Sequence, residues 1–247
     1  MKNTILLFLL SATLLCAQQV YTTFDVEAKQ HSDLTLTTTG VINHVYVDIG
    51  DRVKEGDILL TLDNDDLKLA IDLAKADLEL ADVNHRFAEK TYERYLKVKD
   101  VIDDDQFEQY LLAYEKSIAS LNASKANLAY KKALFEKSIL RAPFSGVIAK
   151  RHKELGDGVS GAMIEPVITL VSAPEVKLVF SFDEKYWQKI KVGSPVSYRV
   201  DGNDKLFHGK ISKVYPTVDA KTRKAFAELY TKSFMPGLFG EGTIEVE

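Results

Sequence analysis

Several residues in this 247-residue sequence have the types and spacing that carry chemistry. Gly156-Asp-Gly158-Val-Ser-Gly161 fits G-x-G-x-x-G, a loop that cradles a dinucleotide pyrophosphate when a strand precedes it and a helix N-terminus follows. Here Pro166 and the strand-like stretch 167–171 follow instead, which reads as a cluster of β-turns. Asp103, Asp104 and Asp105 offer carboxylates to a cation, yet acids also favour helix N-termini, and Asp103 with Gln106 has capping-box spacing. Asp63, Asn64, Asp65 and Asp66 read the same way. The histidines, His31, His44, His85, His152 and His208, are scattered, and none supplies His85 with a second ligand at metal-site spacing. Ser160 lacks a G-x-S-x-G elbow, and Met1, Met163 and Met235 form no soft-metal relay. No nucleophile, base and orienter come together, so the expectation is a non-enzyme with no catalytic residue, cofactor or metal site.

The single cysteine, Cys16, lies in residues 1–17, where Lys2, an apolar run and the small Ala17 read as a secretory signal peptide. The mostly apolar run of eleven residues, 5–15, spans only about 16 Å as a helix, short of a bilayer core, so cleavage is favoured over an uncleaved anchor. Leu14 and Leu15 precede Cys16 where acylated signals usually carry a small residue, which disfavours a lipid anchor. After cleavage the chain has no disulfide, no thiol chemistry and no Cys ligand. Loss of Lys2 leaves 31 bases against 36 acids, a net charge of −5. That balance argues against a nucleic-acid partner. The signal implies export across the cytoplasmic membrane.

The elements that position these residues follow from where glycine and proline are missing. Neither occurs in the 86 residues from Asp57 to Ala142, and all six prolines lie from Pro143 onward. Tight turns usually need one or the other, so this stretch is helical. Leu67, Ile71, Ala74, Leu78, Ala81, His85, Ala88, Tyr92 and Tyr95 follow a 4-3 seam. A second ladder, Leu69, Leu73, Ala76, Leu80, Val83 and Phe87, is offset by about 200°. The pattern breaks at 100–105 and resumes with Phe107, Leu111, Tyr114, Ile118, Leu121, Leu128 and Phe135. Ala119, Ala123, Ala126 and Ala133 add a stripe of small residues. An antiparallel hairpin roughly 50 Å long is expected, with His85 packed in its seam. One seam suffices for the partner helix, so the second needs another neighbour.

The hairpin interrupts a repeat. Gly40-Val-Ile matches Gly146-Val-Ile, and Gly50-Asp-Arg-Val matches Gly156-Asp-Gly-Val, each pair ten residues apart within its half. Two such halves must pack together to bury their apolar faces. After Pro174, Val176-Lys-Leu-Val-Phe-Ser-Phe, Gly193-Ser-Pro-Val-Ser-Tyr-Arg-Val and later short strands with Gly and Pro turns suit a small barrel.

These residues resemble a known family. The repeat looks like a biotinyl/lipoyl-like β-sandwich, and its interruption by a hairpin, with Arg141-Ala-Pro-Phe-Ser-Gly-Val-Ile re-entering the sandwich, resembles the periplasmic adaptor subunits, or membrane fusion proteins, of the HlyD/RND adaptor family of tripartite efflux pumps. The resemblance covers about 24–247. The hairpin occupies the turn where a carrier would present its modifiable lysine, which disfavours a swinging-arm carrier.

The resemblance implies an elongated multidomain α+β chain: signal peptide 1–17, split sandwich 33–65 and 139–171, hairpin 66–138, and β-barrel 20–32 with 172–247. It implies export of small molecules, with an inner-membrane transporter, RND favoured over ABC, and an outer-membrane TolC-like channel as partners in a Gram-negative bacterium. Copies are expected to assemble as a trimer or hexamer through Leu69, Leu73, Leu80, Val83 and Phe87, with Arg94, Leu96, Lys99 and Asp103 touching the channel at the tip. Asp103 stands near the place of a family serine, so the tip set rests on position more than on motif. The membrane-proximal domain of longer adaptors is expected to be missing. The competing expectation is a coiled-coil scaffold with no transport role.

Overall fold

The computed structural model describes residues 18–246; the signal-like residues 1–17 with Cys16, and Glu247, lie outside the described residues. The chain divides into two units, Ser32–Leu170 and the paired segments Met1–His31 and Val171–Glu247. In chain order, β1 (Gln18–Ala28), β2 (His31–Leu34), β3 (Gly40–Val45), β4 (Arg52–Val53) and β5 (Ile58–Leu62) precede the helices α1 (Asp65–Leu96) and α2 (Asp104–Lys137). After them come β6 (Ile139–Arg141), β7 (Gly146–Arg151), β8 (Gly158–Val159) and β9 (Ile168–Val171).

The glycine repeat becomes a pseudo-two-fold sandwich. One sheet has the order β2-β9-β7-β4 and the other β6-β5-β3-β8. Exchanging the halves, β2 with β6, β3 with β7, β4 with β8 and β5 with β9, converts one order into the other. The equivalence reaches individual atoms. Gly50 N–H donates to Ile148 O at 2.9 Å, and its counterpart Gly156 N–H donates to Ile42 O at 2.9 Å. Asp51 accepts from Asp48 N–H at 2.7 Å, as Asp157 does from Glu154 N–H at 2.7 Å. Both turns need glycine, at φ 92° and 89°, a region closed to most side chains. The core keeps the same symmetry: Ile42 with Ile148, Val53 with Val159 and Leu34 with Leu140 are all buried.

Each sheet therefore takes strands from both halves, and neither half can bury its apolar face alone. The Arg141 run seals the join. Ala142 exchanges hydrogen bonds with the Gly56 turn, Gly56 N–H to Ala142 O at 2.8 Å and Ala142 N–H to Asp57 O at 2.9 Å. Arg141 adds a bond to Gly56 O at 3.2 Å, and Ser145 Oγ accepts from Glu55 N–H at 3.0 Å.

The other unit adds β10 (Val176–Asp183), β11 (Pro195–Val200), β12 (Phe207–Lys210), β13 (Lys213–Asp219), β14 (Lys224–Thr231) and β15 (Phe239–Val246). With β1 they form one sheet in the order β12-β11-β15-β1-β10-β14-β13. Its edge strands are consecutive in the chain, separated only by Ile211 and Ser212, so the sheet must curl. A Cβ built on Gly209 of β12 would strike Leu229 of β14, five places away in the sheet order. Phe24, Phe180 and Tyr198 fill the interior, with ring centroids 4.9 Å apart for Phe24 and Phe180 and 5.6 Å for Phe24 and Tyr198. The sequence led to a closed barrel; what is shown is a curled seven-stranded sheet. No ladder joins β12 to β13 among the described residues, because Ile211 N–H bonds to Ser194 O and Ser212 N–H to Glu228 O.

Two sandwich glycines separate conformational from steric demand. Gly156 has positive φ in open space, whereas a Cβ on Gly161 would collide with the Thr37 carbonyl. Gly156→Ala is expected to cost about 1–2 kcal/mol, and Gly161→Ala about 3 kcal/mol because backbone must move. Urea midpoints of the two variants check the order.

Candidate docking surfaces on the helical hairpin

The hairpin is fixed at its base. Asn64, which precedes α1, and Ser138, which follows α2, are 7% and 1% exposed, and Asn64 Nδ2 donates to Ser138 Oγ at 3.1 Å. Ser138 Oγ–H in turn donates to Phe135 O at 2.6 Å, closing the last turn of α2. From this clamp the helices run 32 and 34 residues. Ala74, Ala81, Phe107 and Leu121 are buried between them.

Toward the tip the seam becomes aromatic. Tyr95 stacks on Tyr110 with centroids 3.9 Å apart, and Tyr92 on Tyr114 at 4.9 Å. His85 lies in this seam, stacked on Tyr114 at 5.7 Å with Nδ1 3.1 Å from Ser117 Oγ. It is a packed histidine, and no group of three metal-ligating side chains exists among the described residues.

The second ladder of α1 faces away from α2. Leu69, Leu73, Leu80, Val83 and Phe87 are 69%, 67%, 62%, 49% and 75% exposed. Ala76 of the same ladder and the α2 stripe Ala119, Ala123, Ala126 and Ala133 are also exposed. At the tip, Arg94, Leu96, Lys99 and Asp103 are all exposed and lie on or beside the connection between the helices. Two of them are engaged locally. Lys99 Nζ sits over the Phe107 ring at 5.3 Å, while Asp103 caps α2 by accepting from Asp105 N–H at 3.0 Å. The reciprocal arm of a capping box is not made, since Gln106 bonds to Tyr110 Oη at 3.4 Å. Sequence reasoning passed over Val101, which is 82% exposed at the tip. Three apolar residues, Val98, Val101 and Ile102, in so short a connection were the available signal.

The Gly156–Gly161 run leads through a loop into β9 and no helix follows it, so it cannot hold a phosphate at a helix N-terminus. One cluster in the seven-stranded unit had no sequence signature. Glu228 is 4% exposed and accepts from Tyr215 Oη at 2.6 Å and Tyr230 Oη at 2.7 Å, with Lys177 Nζ at 3.8 Å. Burial pushes its pKa up, but the two hydroxyls and the charges of Lys177 and Lys213 together outweigh burial and leave it lowered. Tyr215 is pushed up to about 12, chiefly by its bond to Glu228 and then by burial.

With the geometry in place, comparison with known proteins decides the family. Residues 30–165 match the family described as "CzcB-like, barrel-sandwich hybrid domain". The chain belongs to that family. Over 214 residues it is 26% identical to the cation efflux system protein CzcB of Alcaligenes sp. strain CT14, a match covering 81% of this chain and 39% of that protein. The chain thus spans less than half the length of this CzcB relative. The CzcB-like fold recurs in solved structures. A MacA–MexA chimera carrying the Pseudomonas aeruginosa MexA α-hairpin superposes with TM-score 0.67 and 21% identity, covering 94% of this chain and 80% of the chimera. The membrane fusion protein Spr0693 of Streptococcus pneumoniae R6 gives TM-score 0.73 and 14% identity, covering 92% and 99%. No helix among the described residues is long and apolar enough to cross a membrane.

Two expectations follow. Leu121→Ala should destabilise the hairpin by about 2–3 kcal/mol, whereas Leu73→Ala and Phe87→Ala should stay within about 0.5 kcal/mol in the isolated chain; helical circular dichroism under urea reads the difference. For Tyr215, a pKa raised above its ordinary 10.0 means the fold favours the protonated phenol. That stabilisation is complete below pH 10 and lost as pH rises through about 12. Tyr215→Phe should therefore flatten the alkaline fall of the urea midpoint.

Proposed function

We propose that this chain is the periplasmic adaptor of an efflux pump, joining an inner-membrane transporter to an outer-membrane TolC-like channel. The carrying observation is the α1 face of Leu69, Leu73, Leu80, Val83 and Phe87, left exposed on a hairpin whose other seam α2 already fills. An apolar stripe of this extent on a surface helix needs a neighbour. Copies packed side by side, as a trimer or hexamer, cover it while every tip points the same way. The tips, with Arg94, Leu96, Lys99, Asp103 and the exposed Val101, then meet the channel, and the seven-stranded units, read as barrels, rest on the transporter.

Membership of the CzcB-like family supports this reading, as do relatives with names such as cation efflux system protein and multidrug export protein. The spread of those names agrees with a division of labour in which the adaptor bridges and the transporter selects the solute. An RND-type transporter is preferred over an ABC exporter by family analogy alone. Export to the periplasm follows from the signal-like sequence 1–17.

Site-specific photo-cross-linking in cells tests the assembly. A cross-linker at Leu80 or Phe87 should capture a second copy of the chain, and Leu73→Ser with Phe87→Ser should abolish capture from Leu80 while leaving the isolated fold intact. A chain that yields no self-adduct from either position, under conditions where the export phenotype is present, contradicts the reading.

A further inference from the structure

At one end of the seven-stranded unit, apolar and basic side chains meet. Trp187, Ile190, Val192, Val214, Pro216 and Val218 line an open hollow there. Ile190 is 2% exposed and pins the turn, whereas Trp187, Val192 and Val218 stand 57%, 68% and 38% exposed. The turn holds that division: Ile190 N–H donates to Tyr186 O at 3.1 Å, and Lys191 N–H donates to Ser194 Oγ at 3.0 Å. Acids at this end are already engaged. Asp183 accepts from Lys185 N–H at 3.0 Å, Glu184 pairs with Arg223 at 2.9 Å, and Asp219 accepts from Lys221 N–H at 2.7 Å. Lys191, Lys221 and Lys224 form no ion pair among the described residues. Lys189 Nζ donates to Gln18 Oε1 at 2.7 Å.

An exposed indole beside two valines is poorly suited to water, and Lys191, Lys221 and Lys224 beside it leave this end with more bases than acids. It suits the headgroup layer of a bilayer, where indole rings settle and lysines reach anionic phosphates. We propose that this end of the seven-stranded unit is a peripheral contact for an anionic phospholipid surface. Trp187 and Val192 enter the interface, and Lys191, Lys221 and Lys224 face the headgroups. The contact is a property of this unit alone and stands apart from the pump assignment.

Trp187 is the only tryptophan in the sequence, so intrinsic fluorescence reports on this end alone. The full chain is mixed with vesicles of phosphatidylcholine containing phosphatidylglycerol, and separately with pure phosphatidylcholine. The expected result is a blue-shifted emission with weaker iodide quenching on the anionic vesicles only. Binding should fall about fivefold for each of Lys191→Gln and Lys221→Gln. Val192→Asp should remove the shift without moving the thermal melt; if that variant fails to fold, the lysine variants carry the test. Emission that is unmoved by anionic vesicles, or moves equally on neutral ones, overturns the proposal. So does a shift produced only by a detergent-solubilised transporter, which would make this a protein-docking face.

Discussion

The pairing of β5 with β6 is the constraint on which the hairpin depends. Leu60 faces Leu140 and Thr61 faces Ile139 in that ladder, and Leu62 N–H donates to Ser138 O at 2.9 Å. The chain leaves the sandwich on one strand and returns on its neighbour, about 4.8 Å away. Helices pack at about 8–10 Å, so both must splay slightly and then run alongside each other. Antiparallel direction and matched length follow. The buried Asn64–Ser138 bond adds register, because sliding one helix would strand an amide inside the protein at a cost of about 1–3 kcal/mol. The pseudo-two-fold sandwich makes this base rigid: neither half is complete until the other has returned.

On that base α1 divides its apolar residues between two faces. The inner face is spent on α2 through small residues near the sandwich and aromatic stacks near the tip. The outer face stays in water. Covering half the exposed area of its five large side chains is worth about 5 kcal/mol. Losing the freedom of two molecules costs about 4–15 kcal/mol. A lone pair of copies is therefore weakly held by this stripe, and a closed array, in which each copy makes contacts on both sides, is the arrangement that the stripe favours. The same physics explains how such an apolar face can exist on a single copy without driving indiscriminate association.

Much of this was legible in the sequence because backbone demands leave residue-level marks. Gly50 and Gly156 sit at positive φ, so the repeat showed itself in glycine spacing before any strand was known. The missing Gly and Pro from Asp57 to Ala142 marked the helices, and the 4-3 spacing separated the inner from the outer face of α1. What escaped depends on pairing across long separations. The exchange of strands between halves follows from which edges meet, which periodicity does not encode. How far the seven strands curl is likewise not written in periodicity, since it turns on where the Ile211 and Ser212 amides bond. Glu228 gave no sign because its partners, Tyr215, Tyr230 and Lys177, are brought together only by the β13-β14-β10 order. Val101 was masked by the acidic break at 100–105, which reads as a solvated turn although Val98, Val101 and Ile102 lie in the same connection.

The central claim is that one chain bridges two membranes' worth of machinery, and co-purification tests it most directly. The affinity-tagged chain is isolated from gently solubilised cell envelopes after brief cross-linking, and its companions are identified by mass spectrometry. The adaptor reading predicts an inner-membrane transporter and an outer-membrane channel in the same complex, with the channel alone lost when residues 94–103 are replaced by a neutral loop. Recovery of the chain with neither companion, or with a channel that persists after the tip is replaced, would contradict it.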